Sequence, residues 1–157
     1  MIHQNIQICP MTEADIASVS DLLNHYASKA VLLWRTPDDI RDHLQSFLVA
    51  KDEQGIIACL ALQDYGNGLF ELRSLAVDET LQSKGLGSRL IKFAIEKCRK
   101  NAAKEVFALT RKTEFFTKNG FQVCDKANFP QKVWKDCLLC HKKDCCDELA
   151  VTYKISD

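Results

Sequence analysis

The chain has 157 residues, of which 46% are hydrophobic and 27% charged, as in an ordinary globular protein. Its 21 basic and 21 acidic side chains give a formal net charge of +0, which indicates neither nucleic-acid nor membrane binding. No apolar run reaches the roughly 20 residues that span a bilayer, and the first residues lack the basic and apolar regions of a signal peptide. We therefore expect a single cytoplasmic domain over residues 1–157, with its own core.

The first half of the chain alternates between strand and helix patterns. Apolar periodicity, capping residues and turn residues predict these elements: a strand over residues 6–9, a helix after the capping box Thr12–Asp15, a second helix from Thr36 and Pro37, a hairpin of residues 47–50 and 56–64 that turns near Gly55, and a strand over residues 70–77 after the Gly66–Gly68 turn.

The second half begins with a strongly amphipathic helix that ends near Lys100. Its apolar face is predicted from residues at helical spacing: Leu86, Leu90, Ile91, Ala94, Ile95 and Cys98. Further elements are predicted in chain order: a strand over residues 106–109, a short helix over residues 113–119 closed by Gly120, and strands over residues 121–124 and 149–155. This order predicts an α/β fold, with a mixed sheet and helices on both faces.

A glycine-containing loop joins the strand over residues 70–77 to the amphipathic helix. Gly85 and Gly87 let the backbone approach a ligand, and the loop lies at the N-terminus of the helix. Unpaired amides and the helix dipole favour an anion there, above all a phosphate. Ordinary turn chemistry is the alternative, because a short Gly-x-Gly motif alone has low specificity.

The Gln82-x-x-Gly85-x-Gly87 order after a strand ending in Ala76-Val77 resembles the acetyl-CoA pyrophosphate loop of the GNAT N-acetyltransferase superfamily. The element order over about residues 5 to 125 resembles that of GNAT domains as well. The resemblance implies a mixed, mostly antiparallel sheet and acetyl-CoA as the co-substrate. The residues that it implies for binding acetyl-CoA are Leu75, Ala76, Val77, Gln82, Ser83, Lys84, Gly85, Leu86, Gly87 and Ser88.

Glu71 is the candidate general base for an amine that arrives as an ammonium ion. Strand alternation places it on one face with Arg73, and a carboxylate in the middle of a strand needs a partner if it is buried. GNAT enzymes often use a glutamate at this place. An exposed glutamate and a simple Glu71–Arg73 ion pair are the alternatives.

Phe116 stands where the Phe-Tyr-x-x-x-Gly-Phe pattern of the GNAT family has a tyrosine that acts as an acid. A phenyl ring cannot donate a proton to the coenzyme A thiolate. We therefore expect either that water protonates the thiolate or that the thiolate leaves without an acid.

Two segments around arginines resemble the acetyltransferase domain of bacterial N-acetylglutamate synthases. These are Leu33-Trp34-Arg35-Thr36 and the stretch over residues 107–116, which contains Arg111. The resemblance implies that Arg35 and Arg111 hold the two carboxylates of L-glutamate, since a guanidinium pairs bidentately with a carboxylate. We predict Arg73 as a further substrate-binding residue. Solvated arginines near helix starts are the ordinary alternative.

Residues 129–140 and 146–148 resemble the C-terminal signature of the short synthases that lack a kinase domain. The expected activity is therefore acetylation of the α-amine of L-glutamate, the first step of arginine biosynthesis. Another amine, in a different amino acid, a polyamine or a protein N-terminus, is an alternative acceptor. A non-catalytic module that binds acetyl-CoA or metal is the alternative from another class. GNAT domains often dimerise, so a homodimer is an open expectation.

The chain contains eight cysteines, half of which lie in one C-terminal segment at about residues 129–148. Cys9, Cys59 and Cys98 lie in apolar patterns and are predicted to behave as small buried hydrophobes. In the C-terminal segment, Cys137-x-x-Cys140 has zinc-knuckle spacing. Cys146 is the predicted third ligand, with Cys145 as its alternative and His141 or Cys124 as candidates for a fourth. Structural zinc, free thiols and a redox role all remain open for this segment.

Overall fold

The computed structural model describes residues 6–27, 35–81, 85–125, 128–129 and 149–155. The chain divides into two compact units, the first formed by Met1–Gln63 with Leu72–Glu96 and the second by Asp64–Glu71 with Lys97–Asp157. None of the described helices combines the length and the apolar composition needed to cross a membrane.

The described residues form α-helices and β-strands in the predicted order, with bounds that differ from the predicted ones by a residue or two. The helices are α1 Ile16–Ala27, α2 Pro37–Asp42, α3 Leu86–Lys100 and α4 Thr113–Lys118. The strands are β1 Gln7–Pro10, β2 Phe47–Asp52, β3 Gly55–Asp64, β4 Leu69–Val77, β5 Glu105–Thr110, β6 Gln122–Cys124 and β7 Leu149–Lys154.

The strands form a seven-stranded mixed sheet in the order β1-β2-β3-β4-β5-β7-β6. Most neighbours are antiparallel, whereas β4 and β5 run parallel and pair through Leu69–Glu71. The predicted α/β class and mostly antiparallel mixed sheet are therefore confirmed. Of strand β4, Leu69–Glu71 belong to the second unit and Leu72–Val77 to the first.

The core of the first unit lies where α1 and α2 pack on β2, β3 and the end of β4. Apolar residues at helical spacing on α1 meet residues that alternate along the strands, and together they form one buried cluster: Met11, Ile16, Val19, Leu23, Tyr26, Ile40, Phe47, Val49, Cys59, Ala61 and Ala76. The predicted apolar face of α3 is also confirmed, because every residue named for it is buried.

Helix α2 starts as the sequence predicts. The Thr36 hydroxyl accepts a hydrogen bond from the Asp39 amide at 3.0 Å, and Pro37 occupies the first helical position. The predicted capping box is also formed, since both the amide and the hydroxyl of Thr12 donate to Oδ2 of Asp15. It opens a short 3₁₀ turn that leads into α1 rather than α1 itself.

The second unit has a smaller aromatic core around β5 and β7. Phe107, Phe129 and Ala150 are buried, and Tyr65, Leu69, Leu109 and Cys124 pack against them. Helix α4 ends before Gly120, whose φ of +93° confirms the predicted left-handed cap. A Cβ added at Gly120 would lie 2.9 Å from Cε2 of Tyr153, so space as well as conformation requires glycine there.

Candidate active site

The N-terminus of α3 carries the described part of the glycine loop. Gly85 adopts a φ of +83°, and a Cβ added there would meet nothing within 4 Å, so conformation rather than space favours glycine. Its carbonyl accepts the amide of Arg89 at 3.1 Å, which closes the first helical turn. Leu86 is buried and anchors this turn, while Gly87 and Ser88 are half-buried. The first amides of the helix point out of its N-terminus, as an anion site requires.

The last residues of β4 direct their amides alternately to the two sides of the strand. The Ala76 amide faces the sulfur of Cys59 on β3, and the Asp78 amide donates to the Ile57 carbonyl on β3 at 2.9 Å. The amides of Leu75 and Val77 therefore point away from β3. Of the three residues predicted to meet acetyl-CoA here, Leu75 and Val77 therefore have their amides on the side of the strand that faces away from β3.

Strand β4 is distorted at Ser74, a non-glycine residue with a φ of +56°. Cys59 lies opposite this point and its thiol donates to the Ser74 carbonyl at 3.5 Å. Burial raises the pKa of the Cys59 thiol to about 12, although the charge of Arg35 and the Ala76 amide act in the opposite direction. The predicted burial of Cys59 is confirmed, and its neutral thiol holds the irregular part of the strand.

Arg35 lies just before α2 and is 9% exposed. Its Nε donates to Oδ2 of Asp39 at 2.7 Å, its Nη1 donates to Oγ of Ser74 at 3.1 Å, and its guanidinium lies 5.0 Å from the centre of the Phe47 ring. Arginine suits this position because its donors point in several fixed directions. The structure thus joins a residue predicted to bind substrate to the irregular point of β4.

Glu71 lies in the second unit and is 1% exposed, which rules out the alternative of an exposed glutamate. The hydroxyl of Tyr65 donates to its Oε1 at 2.8 Å. A carboxyl group buried without such a hydrogen-bond partner would be costly. The arrangement gives the second unit a buried, oriented carboxylate, as a general base requires.

The remaining predicted residues lie in contrasting environments. Arg111, in the second unit, follows the end of β5 and is exposed, whereas Arg73, on β4 in the first unit, is half-buried. Phe116 is buried, with its ring edge-on to Phe115 at 5.4 Å and to Phe121 at 5.2 Å between centres. It is a core residue of α4, so it contributes packing and no proton.

Several predicted residues lie outside the described residues. They are Gln82, Ser83 and Lys84 of the glycine loop and Cys137, Cys140 and Cys146 of the predicted zinc site. Within the described ranges, no group of His, Cys, Asp and Glu side chains is arranged to hold a metal ion. Cys59 and Cys98 are buried as predicted, whereas Cys9 is only half-buried.

Tyr65 and the contact between Arg35 and Ser74 were not predicted from the sequence. A signal for the first existed, because Tyr65 precedes the Gly66-Asn67-Gly68 turn that joins β3 to β4. Tyr65 faces Leu69 across this tight turn, and Glu71 is the next residue on the same face of β4 as Leu69. A side chain in the position of Tyr65 therefore lies close to Glu71, its diagonal neighbour. No sequence signal predicts the contact between Arg35 and Ser74, because a left-handed conformation is expected at glycine and position 74 is a serine.

A family model described as the acetyltransferase (GNAT) domain matches residues 43–123. An uncharacterised N-acetyltransferase of Chlorobaculum tepidum is 37% identical over 138 residues, which cover 88% of this chain and 89% of that protein. An amino-acid acetyltransferase of Neisseria meningitidis is 28% identical over 124 residues, or 78% of this chain. The chain spans only 28% of the length of that relative.

Among solved structures, N-acetylglutamate synthase from Neisseria gonorrhoeae, complexed with coenzyme A and N-acetyl-glutamate, has a TM-score of 0.85 to this chain at 23% identity. The match covers 99% of this chain and 36% of that one. At this identity the likeness shows the fold. The family match covers more than half of the chain, and the Chlorobaculum relative is similar along nearly all of it. The chain belongs to the GNAT acetyltransferase family and is an acetyl-CoA-dependent acyltransferase.

Proposed function

We propose that this acetyltransferase transfers the acetyl group of acetyl-CoA to the α-amine of L-glutamate, as an N-acetylglutamate synthase of the cytoplasm. The product would enter arginine biosynthesis. The observation that carries the choice of acceptor is the buried guanidinium of Arg35 beside β4, because a fixed guanidinium selects an acceptor with a carboxylate. The amino-acid acetyltransferase and the N-acetylglutamate synthase among the similar proteins support the same choice.

The donor half of the reaction is assigned to residues of the first unit. The α3 N-terminus at Gly85 would hold the pyrophosphate of acetyl-CoA, since helix amides and the helix dipole favour an anion. The Leu75 and Val77 amides, which point away from β3, would hold the pantetheine and the thioester carbonyl. An amide aimed at that carbonyl stabilises the oxyanion formed during attack.

Glu71 is assigned the role of general base. An α-amine arrives as an ammonium ion and must lose a proton before its nitrogen can attack the thioester carbon. The carboxylate of Glu71 would take this proton, directly or through a water molecule, the latter being favoured by its 1% exposure. The new C–N bond then forms, the C–S bond breaks, and coenzyme A leaves as a thiolate.

The thiolate must gain its proton from a group other than Phe116. A phenyl ring has no proton to donate, and Phe116 is only 5% exposed. A thiolate is a weak enough base to leave without an acid at the moment of departure. We therefore assign its protonation to solvent.

An amino acid with a single carboxylate is the second candidate acceptor. Arg35 is buried whereas Arg111 is exposed, so the two arginines proposed to hold carboxylates would contribute different amounts of binding free energy. An ion pair with an exposed arginine contributes little, about 0 to 1 kcal/mol, so Arg111 would add modestly to selection for a second carboxylate.

The test is a panel of amines with acetyl-CoA, with release of free coenzyme A thiol as the measured rate. The panel contains L-glutamate, L-alanine, spermidine and a short peptide with a free N-terminus. We expect the highest kcat/KM with L-glutamate. Good turnover of another amine with none of L-glutamate would refute the synthase proposal. Best turnover of L-alanine would favour the second candidate.

A further inference from the structure

We propose that Tyr65 is a positioning residue, whose phenol holds the Glu71 carboxylate in the orientation in which it accepts the proton. This inference rests on the proposed function, because it requires Glu71 to act as the base. It adds a residue that was not among the predicted site residues.

The turn between β3 and β4 fixes the backbone of Tyr65. The Tyr65 amide donates to the Leu69 carbonyl at 2.9 Å, and the Leu69 amide donates to the Gly66 carbonyl at 3.1 Å. The Gly68 carbonyl in turn accepts the amides of Lys104 and Glu105 at the start of β5, at 2.8 and 3.1 Å. The turn is therefore tied both to its own strand and to the next one.

The register of the turn brings the Tyr65 side chain to Glu71. Tyr65 faces Leu69 across the turn, and Glu71 is the next residue of β4 on the same face as Leu69. A long aromatic side chain reaches such a diagonal neighbour. This accounts for the 2.8 Å contact between the phenol and Oε1 of Glu71.

Aromatic packing fixes the ring of Tyr65. Its ring centre lies 6.0 Å from that of Phe107, and Phe107 stacks on Phe129 at 4.0 Å with 3° between the planes. Phe107 is also the register partner of Glu71 across β4 and β5. The hydroxyl is thus directed by a packed ring, and its O–H is the donor of the hydrogen bond to Glu71.

A base whose carboxylate is held in one orientation avoids the loss of rate that misplacement causes. A displacement of about 1 Å can cost on the order of 100-fold in rate. The alternative is that the phenol only satisfies a buried carboxylate, which would affect stability without affecting turnover. These two roles predict different kinetics.

Replacement of Tyr65 by phenylalanine separates the two roles. Tyr65→Phe keeps the ring that packs on Phe107 and removes only the hydroxyl. We expect kcat with L-glutamate to fall by about 10- to 100-fold, with the KM for acetyl-CoA unchanged. Tyr153→Phe is the matched control, because Tyr153 lies in the same unit and packs its ring on Phe121. This control should keep the full kcat.

A double-mutant cycle with Glu71→Gln then tests whether Tyr65 acts through Glu71. If it does, Tyr65→Phe adds no further loss of kcat once Glu71 is replaced. Additive losses, or a normal kcat in Tyr65→Phe beside a large loss in Glu71→Gln, would overturn the inference and leave the proposed base intact. A normal kcat in Glu71→Gln would instead refute the base, and Tyr65 with it. If L-glutamate is not turned over, the cycle is run with the panel amine acetylated fastest.

Discussion

Nη1 of Arg35 donates a hydrogen bond to Oγ of Ser74 over 3.1 Å. The bond ties Arg35, two residues ahead of α2, to the one left-handed position that the structure describes within strand β4. Cys59 holds the same position through the Ser74 carbonyl. Arg35 therefore supports the backbone whose next residues are proposed to hold the thioester. Arg35 would thus have two roles, the proposed binding of the acceptor's carboxylate and the support of β4 at Ser74.

Replacement of Arg35 by lysine should weaken acceptor binding. A lysine keeps the charge but lacks the planar fork that reaches Asp39 and Ser74 at once. We expect the KM for L-glutamate to rise by about 10-fold or more, measured by steady-state kinetics. Arg41→Lys is the control, because Arg41 pairs with Asp38 on the surface with 49% of its side chain exposed. Equal KM values in both variants would remove Arg35 from the acceptor site.

Substitutions at Ser74 should report the left-handed conformation of β4. A β-branched residue is strained at a φ of +56°, so Ser74→Val should lower the free energy of unfolding by about 1–3 kcal/mol. Ser74→Gly also loses the hydrogen bond from Arg35, but glycine adopts this φ without strain. It should therefore destabilise the protein less than Ser74→Val does. Urea unfolding of both variants measures the difference. A valine variant more stable than the glycine variant would contradict the observed backbone.

Gly85→Ala should impair acetyl-CoA binding through the backbone alone. Gly85 has a φ of +83° and Gly55 a φ of +130°, and an added Cβ meets no atom within 4 Å at either. Alanine at a left-handed position costs about 1–2 kcal/mol, so both variants should have a lower Tm. The KM for acetyl-CoA should rise only in Gly85→Ala. A similar rise in Gly55→Ala would mean that the effect is one of general stability.

Local features of the fold could be predicted from the sequence, because they depend on neighbouring residues. The face of α3 follows from apolar spacing, the Thr36 cap from a hydroxyl before Pro37, and the left-handed Gly120 from the end of α4. The glutamate on β4 could be identified from a family resemblance. Its burial at 1% exposure could not, since alternation leaves open which face is covered.

Contacts between distant residues could not be predicted. The Arg35–Ser74 bond joins residues 39 positions apart, and it depends on a register and on an irregular strand that no propensity marks. Phe129 was assigned to the cysteine-rich segment, yet it stacks on Phe107 in the core of the second unit. Such packing is decided by the assembled sheet and not by the local sequence.

The thiol of Cys59 should resist alkylation in the folded protein. Burial raises its pKa to about 12 from an ordinary value of 9.0, so the reactive thiolate is scarce in the native state. The unfolded thiol ionises near 9.0, so this group stabilises the fold below that pH and loses its effect as the pH rises toward 12. Peptide mass spectrometry after iodoacetamide treatment at about pH 8 should find Cys59 modified only in guanidinium chloride. Equal labelling without denaturant would contradict the buried environment.

The most direct test of the proposed acceptor is to follow the acetyl group itself. The protein is incubated with L-glutamate and acetyl-CoA that carries ¹³C at the acetyl carbonyl, and the products are observed by NMR. We predict that the label appears in the amide of N-acetyl-L-glutamate, in equal amount to the free thiol released. Unlabelled L-glutamate after full turnover of acetyl-CoA onto another amine would contradict the proposal.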